Sequence, residues 1–136
     1  MKNKSILVAF VLIFMSSCAP GANSPLEDHL TAYNWKITYL KYIGVDETVV
    51  FNSYVFNFEN MNQIIASRPD STFQGSWYRS NSSQSSPKVY IDFGPHYQLR
   101  MLNYDWQQVS RTDNVIELVD NMSASSTEAA TFERLP

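Results

Sequence analysis

From Asn34 onward, apolar and polar residues alternate with a period of two. Trp35 and Ile37 alternate with Lys36 and Thr38. Tyr54, Phe56 and Phe58 alternate with Val55, Asn57 and Glu59. Phe73, Gly75 and Trp77 stand between Gln74, Ser76 and Tyr78, and Val89, Ile91 and Phe93 between Lys88, Tyr90 and Asp92. Ile116 and Leu118 flank Glu117, and Phe132 lies between Thr131 and Glu133. Such alternation in short runs marks half-buried antiparallel strands, and the aromatic and β-branched content fits them. The runs are separated by turn-forming stretches: Gly44–Glu47, Glu59–Asn62, Arg68–Ser71, Asn81–Pro87, Arg111–Asn114 and Asn121–Thr127. Two segments break the alternation. His96–Tyr104, with Leu99 and Leu102 three apart, predicts a single helical turn, and Leu26–Tyr33 fits a short helix before the first strand. About eight strands with one aromatic face must close on themselves to bury that face and remove free edges. The expectation is an all-β, small antiparallel up-and-down barrel of about eight strands with one short helical turn.

The N-terminal part reads differently. Lys2 and Lys4 precede an apolar run from Ser5 to Met15, followed by Ser16, Ser17 and Cys18. A basic start, an apolar stretch of about ten residues and small residues before a cut form an export leader. The run is too short to span a bilayer, which takes about 20 apolar residues. Met15-Ser16-Ser17-Cys18 resembles the bacterial lipobox, with Met15 where Leu is usual. The resemblance implies diacylation of the Cys18 thiol, cleavage in front of it and acylation of the new amino group. Two or more chains give stable membrane anchoring where one does not. Ala19–Pro25, with two prolines and a glycine, builds neither helix nor sheet. The expected organisation is a leader over 1–17, acylated Cys18 with a flexible tether over 18–33, and the barrel over 34–136.

Removing residues 1–17 leaves 119 of the 136 residues, enough for one domain with its own core. It also leaves 8 basic against 13 acidic residues, a formal charge of −5. That balance argues against nucleic acid, whose affinity rests on Lys and Arg at phosphates, and against a polybasic membrane patch. The single cysteine rules out an intramolecular disulfide or a cysteine zinc cluster.

Candidate chemistry is sparse. His29 and His96 have no partner at ligand spacing and read as surface or loop residues, so no metal is expected. Gly75-Ser76-Trp77 is not a nucleophile elbow. Asp92 and Asp105, each beside aromatics, are the plausible acid–base pair, and an enzyme would show one of them facing His96 in a cleft. No phosphate-cradling glycine loop exists, and no cofactor or enzymatic activity is expected. The aromatics say more. Trp35, Phe56, Trp77, Phe93 and Trp106 fall on the inner face and would line a site for a small hydrophobic ligand. The competing reading makes them core. An eight-stranded barrel has room for its own side chains or one small ligand, and the large inward residues favour filling. Tyr42, Tyr78 and Tyr90 point outward, as a binding surface or as ordinary cross-strand pairs.

The order of these segments resembles the lipocalin-like lipoproteins of Bacteroidetes. The carrying residues are Trp35-Lys36-Ile37-Thr38-Tyr39, Asp46-Glu47-Thr48, Tyr54 to Phe58, Phe73-Gln74-Gly75-Ser76-Trp77, Leu99 to Leu102, Asp105-Trp106, Ile116-Glu117-Leu118 and Thr131-Phe132-Glu133. The resemblance covers 34–134 and implies a small calycin-type barrel. It supplies no catalytic residues, and fold alone does not give function. The resulting expectation is a monomeric, non-enzymatic binding module, lipid-anchored in the bacterial outer membrane. It holds a small hydrophobic ligand or, with a solid core, contacts an envelope protein or glycan through its outside. Ala19–Pro25 lacks the acidic residues that surface-export signals in Bacteroidetes tend to carry. That favours the periplasmic face over the cell surface.

Overall fold

The computed structural model describes residues 19–60, 62–81, 83–120 and 128–136. The leader, Cys18 and the loop Asn121–Thr127 lie outside the described residues. Helix α1 (Leu26–Ala32) precedes the strands β1 (Asn34–Tyr42), β2 (Val45–Asp46), β3 (Val55–Phe58), β4 (Ile64–Arg68), β5 (Ser71–Arg79), β6 (Lys88–Asp92), β7 (Asp105–Arg111), β8 (Val115–Val119) and β9 (Ala129–Arg134). Every pairing is antiparallel. The strands from β3 to β9 follow one another in order, and β1 pairs with both β9 and β3 to close an eight-stranded barrel. This is the expected up-and-down barrel. The two-residue β2 is an addition, read from the sequence as plain turn. It folds back on β1 with Tyr42 opposite Val45.

The inward positions are those the alternation picks out, with two slips. A bulge between Ile37 and Tyr39 in β1 turns Tyr39 outward and brings Leu40 in. A second, between Gln108 and Ser110 in β7, leaves Val109 outside. One extra residue in a strand reverses the side-chain phase beyond it. β5 changes partner midway: Ser71–Gly75 pairs with β4 and Ser76–Arg79 with β6. A Cβ at Gly75 would sit 2.6 Å from the Asp92 carbonyl oxygen and 2.7 Å from the Phe93 ring, so only glycine lets the strands approach there.

Both ends are closed. At one end, shared by the β3–β4, β5–β6 and β7–β8 turns, α1 buries Leu26, His29 and Leu30 beneath it. At the far end, 3-10 turns at Thr48–Phe51 and Leu99–Leu102 bury Phe51, Leu99 and Leu102. The second is the helical turn predicted within His96–Tyr104. There the Tyr54 hydroxyl donates to Gln98 Oε1 at 2.6 Å, joining the two caps.

Candidate functional site

The five aromatic residues predicted to line a ligand site share one interior and are buried in it. Trp35, Phe56 and Trp106 are 0% exposed, Trp77 1% and Phe93 7%. The Phe56 ring centroid lies 5.7 Å from Phe132 and 6.3 Å from Phe93. Phe58 lies 5.2 Å from Trp77 and 5.8 Å from Phe132. These are edge-on contacts at the spacing aromatic rings prefer. Each indole N–H is also satisfied internally. Trp35 Nε1 donates to Leu30 O at 3.0 Å, Trp77 Nε1 to Glu59 O at 2.9 Å and Trp106 Nε1 to Leu102 O at 2.9 Å. The three acceptors belong to α1, the β3–β4 turn and a 3-10 turn. Each tryptophan thus ties the barrel wall to a segment at one of its ends.

Three of the open depressions among the described residues border the barrel strands. A cleft of about 510 Å³ beside α1 has Asp28, Thr31, Asn57, Glu59 and Asn60 around the edges of Phe58 and Trp77. Another, about 630 Å³, lies at the Gly75 bend among Gln63, Gln74, Ser76, Asp92 and Phe93. The third, about 200 Å³, is the apolar one. It lies on the outer wall between Tyr39 and Val109, with Val119, Ala129 and Ala130 in its lining. Both outward slips of the bulges border this patch. Of the five predicted residues, only Trp77 and Phe93 border one of these three.

The candidate acid–base residues are committed elsewhere. Asp92 Oδ1 accepts Gly94 N at 2.7 Å. Asp105 accepts the Ser80 hydroxyl and pairs with Lys88 Nζ at 3.0 Å. His96 Nδ1 accepts Gln98 N at 3.2 Å and Leu99 N at 3.1 Å, and its ring stands against Phe73, with 4.3 Å between centroids. Neither carboxylate is hydrogen-bonded to His96; each holds a local turn or pair. Among the described residues no three of His, Cys, Asp and Glu gather as a metal-ligand set. The Tyr104 hydroxyl is pushed up to about 12, first by burial and then by the buried Glu128. Tyr78 and Tyr90 are direct cross-strand partners with centroids 5.2 Å apart, whereas Tyr42 pairs with Tyr104. The outward tyrosines therefore form no single patch.

No family model matches the chain, and no curated protein does. Among solved structures it is similar to the crystal structure of a DUF4847 family protein from Bacteroides vulgatus, with a TM-score of 0.50 and 12% identity over 79% of this chain and 95% of that one. The likeness is one of fold: a small antiparallel barrel.

The N-terminal segment corrects two expectations. His29 is 0% exposed, not a surface residue. Leu26, His29 and Leu30 are spaced as one helical face, and that spacing is the signal that places His29 inside. Its Nε2 faces the Asp113 carbonyl at 2.9 Å and so carries the proton, leaving Nδ1 to accept from Arg111 at 3.2 Å. Burial holds this imidazole below its ordinary value. The Arg111 charge adds to that, and the hydrogen bond to Asp113 opposes it. Nor do residues 20–33 form a flexible tether. The Tyr33 hydroxyl donates to Pro20 O at 2.9 Å, and Asp113 Oδ1 accepts Ala22 N at 2.8 Å. Arg111 donates to Gly21 O at 3.2 Å and Ser24 O at 2.8 Å. A Cβ at Gly21 would overlap the Asp113 carboxylate. The segment is a strap laid across the helix end. Sequence patterning misses it because the strap is held mostly through its own backbone carbonyls, which no residue type announces.

Proposed function

We propose that this chain is an exported, lipid-anchored envelope protein whose lipocalin-like barrel is non-enzymatic and acts through its outside, on a protein or glycan. The observation that carries the reading is the filled interior. Rings occupy the positions a carrier would leave open, their polar N–H groups are spent on backbone carbonyls, and both ends are capped. A ligand site is concave, with convergent polar groups left for the ligand. The interior offers none among these aromatics. The depression between Tyr39 and Val109 is more apolar than the hollows beside α1, at the Gly75 bend and along the strap, and is the best-suited contact surface.

The anchor rests on Met15-Ser16-Ser17-Cys18 after a basic and apolar leader, with Cys18 the chain's one cysteine. Acylation there places the protein on a membrane, and in this reading it is the outer membrane, facing the periplasm. Fractionation of cells tests the anchor: the full chain should partition with membranes and Cys18→Ala with the soluble fraction. Wild-type chain in the soluble fraction would contradict it. An apolar fluorescent probe added to residues 19–136 tests the barrel. No enhancement is expected; saturable one-to-one enhancement would restore the carrier reading.

A further inference from the structure

The strap sets how the barrel stands on its membrane. We infer that the helix end of the barrel rests directly against the lipid headgroups, with the far end held away from them. The inference rests on Cys18 as the lipid-bearing residue. Pro20 is already fixed by the Tyr33 hydroxyl, Gly21 by Arg111, and Ala22 by the Asp113 carboxylate. Tyr33 is itself held, with the Arg134 guanidinium 4.2 Å over its ring. Only Ala19 separates Cys18 from this anchorage. Two residues reach at most about 7 Å. The acyl chains therefore enter the bilayer beside the β7–β8 turn, and the body cannot drift far from that point.

The face so presented stands on the headgroups rather than in the acyl region. Helix α1 turns Leu26 and Leu30 inward, at 1% exposure each, and shows Asp28 and Thr31 to solvent beside exposed Glu59 and Asp113. With nine residues in β1, a strand length of about 30 Å at a tilt of about 40° gives a wall roughly 20 Å high. The anchored orientation lifts the far end by that height. Exposed Ile43, Val45 and Val49 cluster in sequence at that far end, where the anchor keeps them out of the bilayer.

Once Cys18 is acylated, an introduced thiol is the chain's sole reactive one. The full lipidated chain carrying Asn114→Cys (helix end) or Val49→Cys (far end) is labelled with a fluorophore. Each is placed in phosphatidylcholine vesicles containing a headgroup-quencher lipid, and mass spectrometry of the N-terminal peptide reports the acyl chains. The expected result is acylated Cys18 with several-fold stronger quenching at position 114 than at 49. A ten-residue Gly/Ser insertion between Ala19 and Pro20 should abolish that difference. Acylated protein quenched equally at both positions overturns the fixed orientation and leaves the lipoprotein reading standing. A difference that survives the insertion overturns the tether as its cause. An unmodified Cys18 overturns the lipoprotein reading and the inference together.

Discussion

Two residues carry conformational or electrostatic tension that can be measured. Ile43 has φ 49° at the β1–β2 hairpin, followed by Gly44 at φ 74°. That turn favours Asn-Gly, and a β-branched residue at positive φ is a genuine outlier. Ile43 is 63% exposed, so packing recovers little of the strain. Ile43→Asn should raise stability by about 1 kcal/mol in urea denaturation; unchanged or lower stability would show the strain to be absent. His29 is buried and neutral between Arg111 and the Asp113 carbonyl. The unfolded chain binds a proton on this imidazole near pH 6.5, while the folded chain resists to lower pH. Stability from this group is therefore fully present above 6.5 and falls as the pH drops below it. Denaturation at pH 7.5 and 5.5 should show that loss in the wild type and a smaller one in His29→Gln.

At the scale of elements, the alternation located the inward faces because strand side chains obey a strict period of two. Trp35, Phe56, Trp77 and Ile116 are buried where the pattern put them. The bulges at Ile37/Tyr39 and Gln108/Ser110 escaped it, since one inserted residue leaves no compositional mark. The β5 partner change was equally hidden, although Gly75 stands at the bend. Gly75→Ala should cost about 1–3 kcal/mol by forcing the Asp92 backbone and Phe93 ring apart, read from the denaturation midpoint. The tryptophan ties give a parallel expectation. Trp106→Phe removes the bond to Leu102 O and some volume, so it should cost about 1–3 kcal/mol. Hydrogen exchange should then speed up selectively in the Leu99–Leu102 turn. Uniform acceleration across the barrel would mean the indole does not hold that cap.

At the scale of the whole molecule, the barrel class was legible because hairpin-length connections and one aromatic face leave few ways to close. Whether that barrel is hollow was not legible, since the same large aromatics serve a lined lumen and a packed one. Ring centroids 5.2 to 5.8 Å apart support the packed reading. The strap was invisible for a different reason: Gly21, Ala22 and Ser24 read as linker, and Arg111 and Asp113, some ninety residues later, hold them. A solid barrel carries no apolar ligand, a claim that mass spectrometry of an organic extract of purified residues 19–136 puts to the test. The predicted result is an empty extract. A stoichiometric apolar compound, absent from a Trp77→Ala variant, would contradict the claim and make the interior a binding site after all.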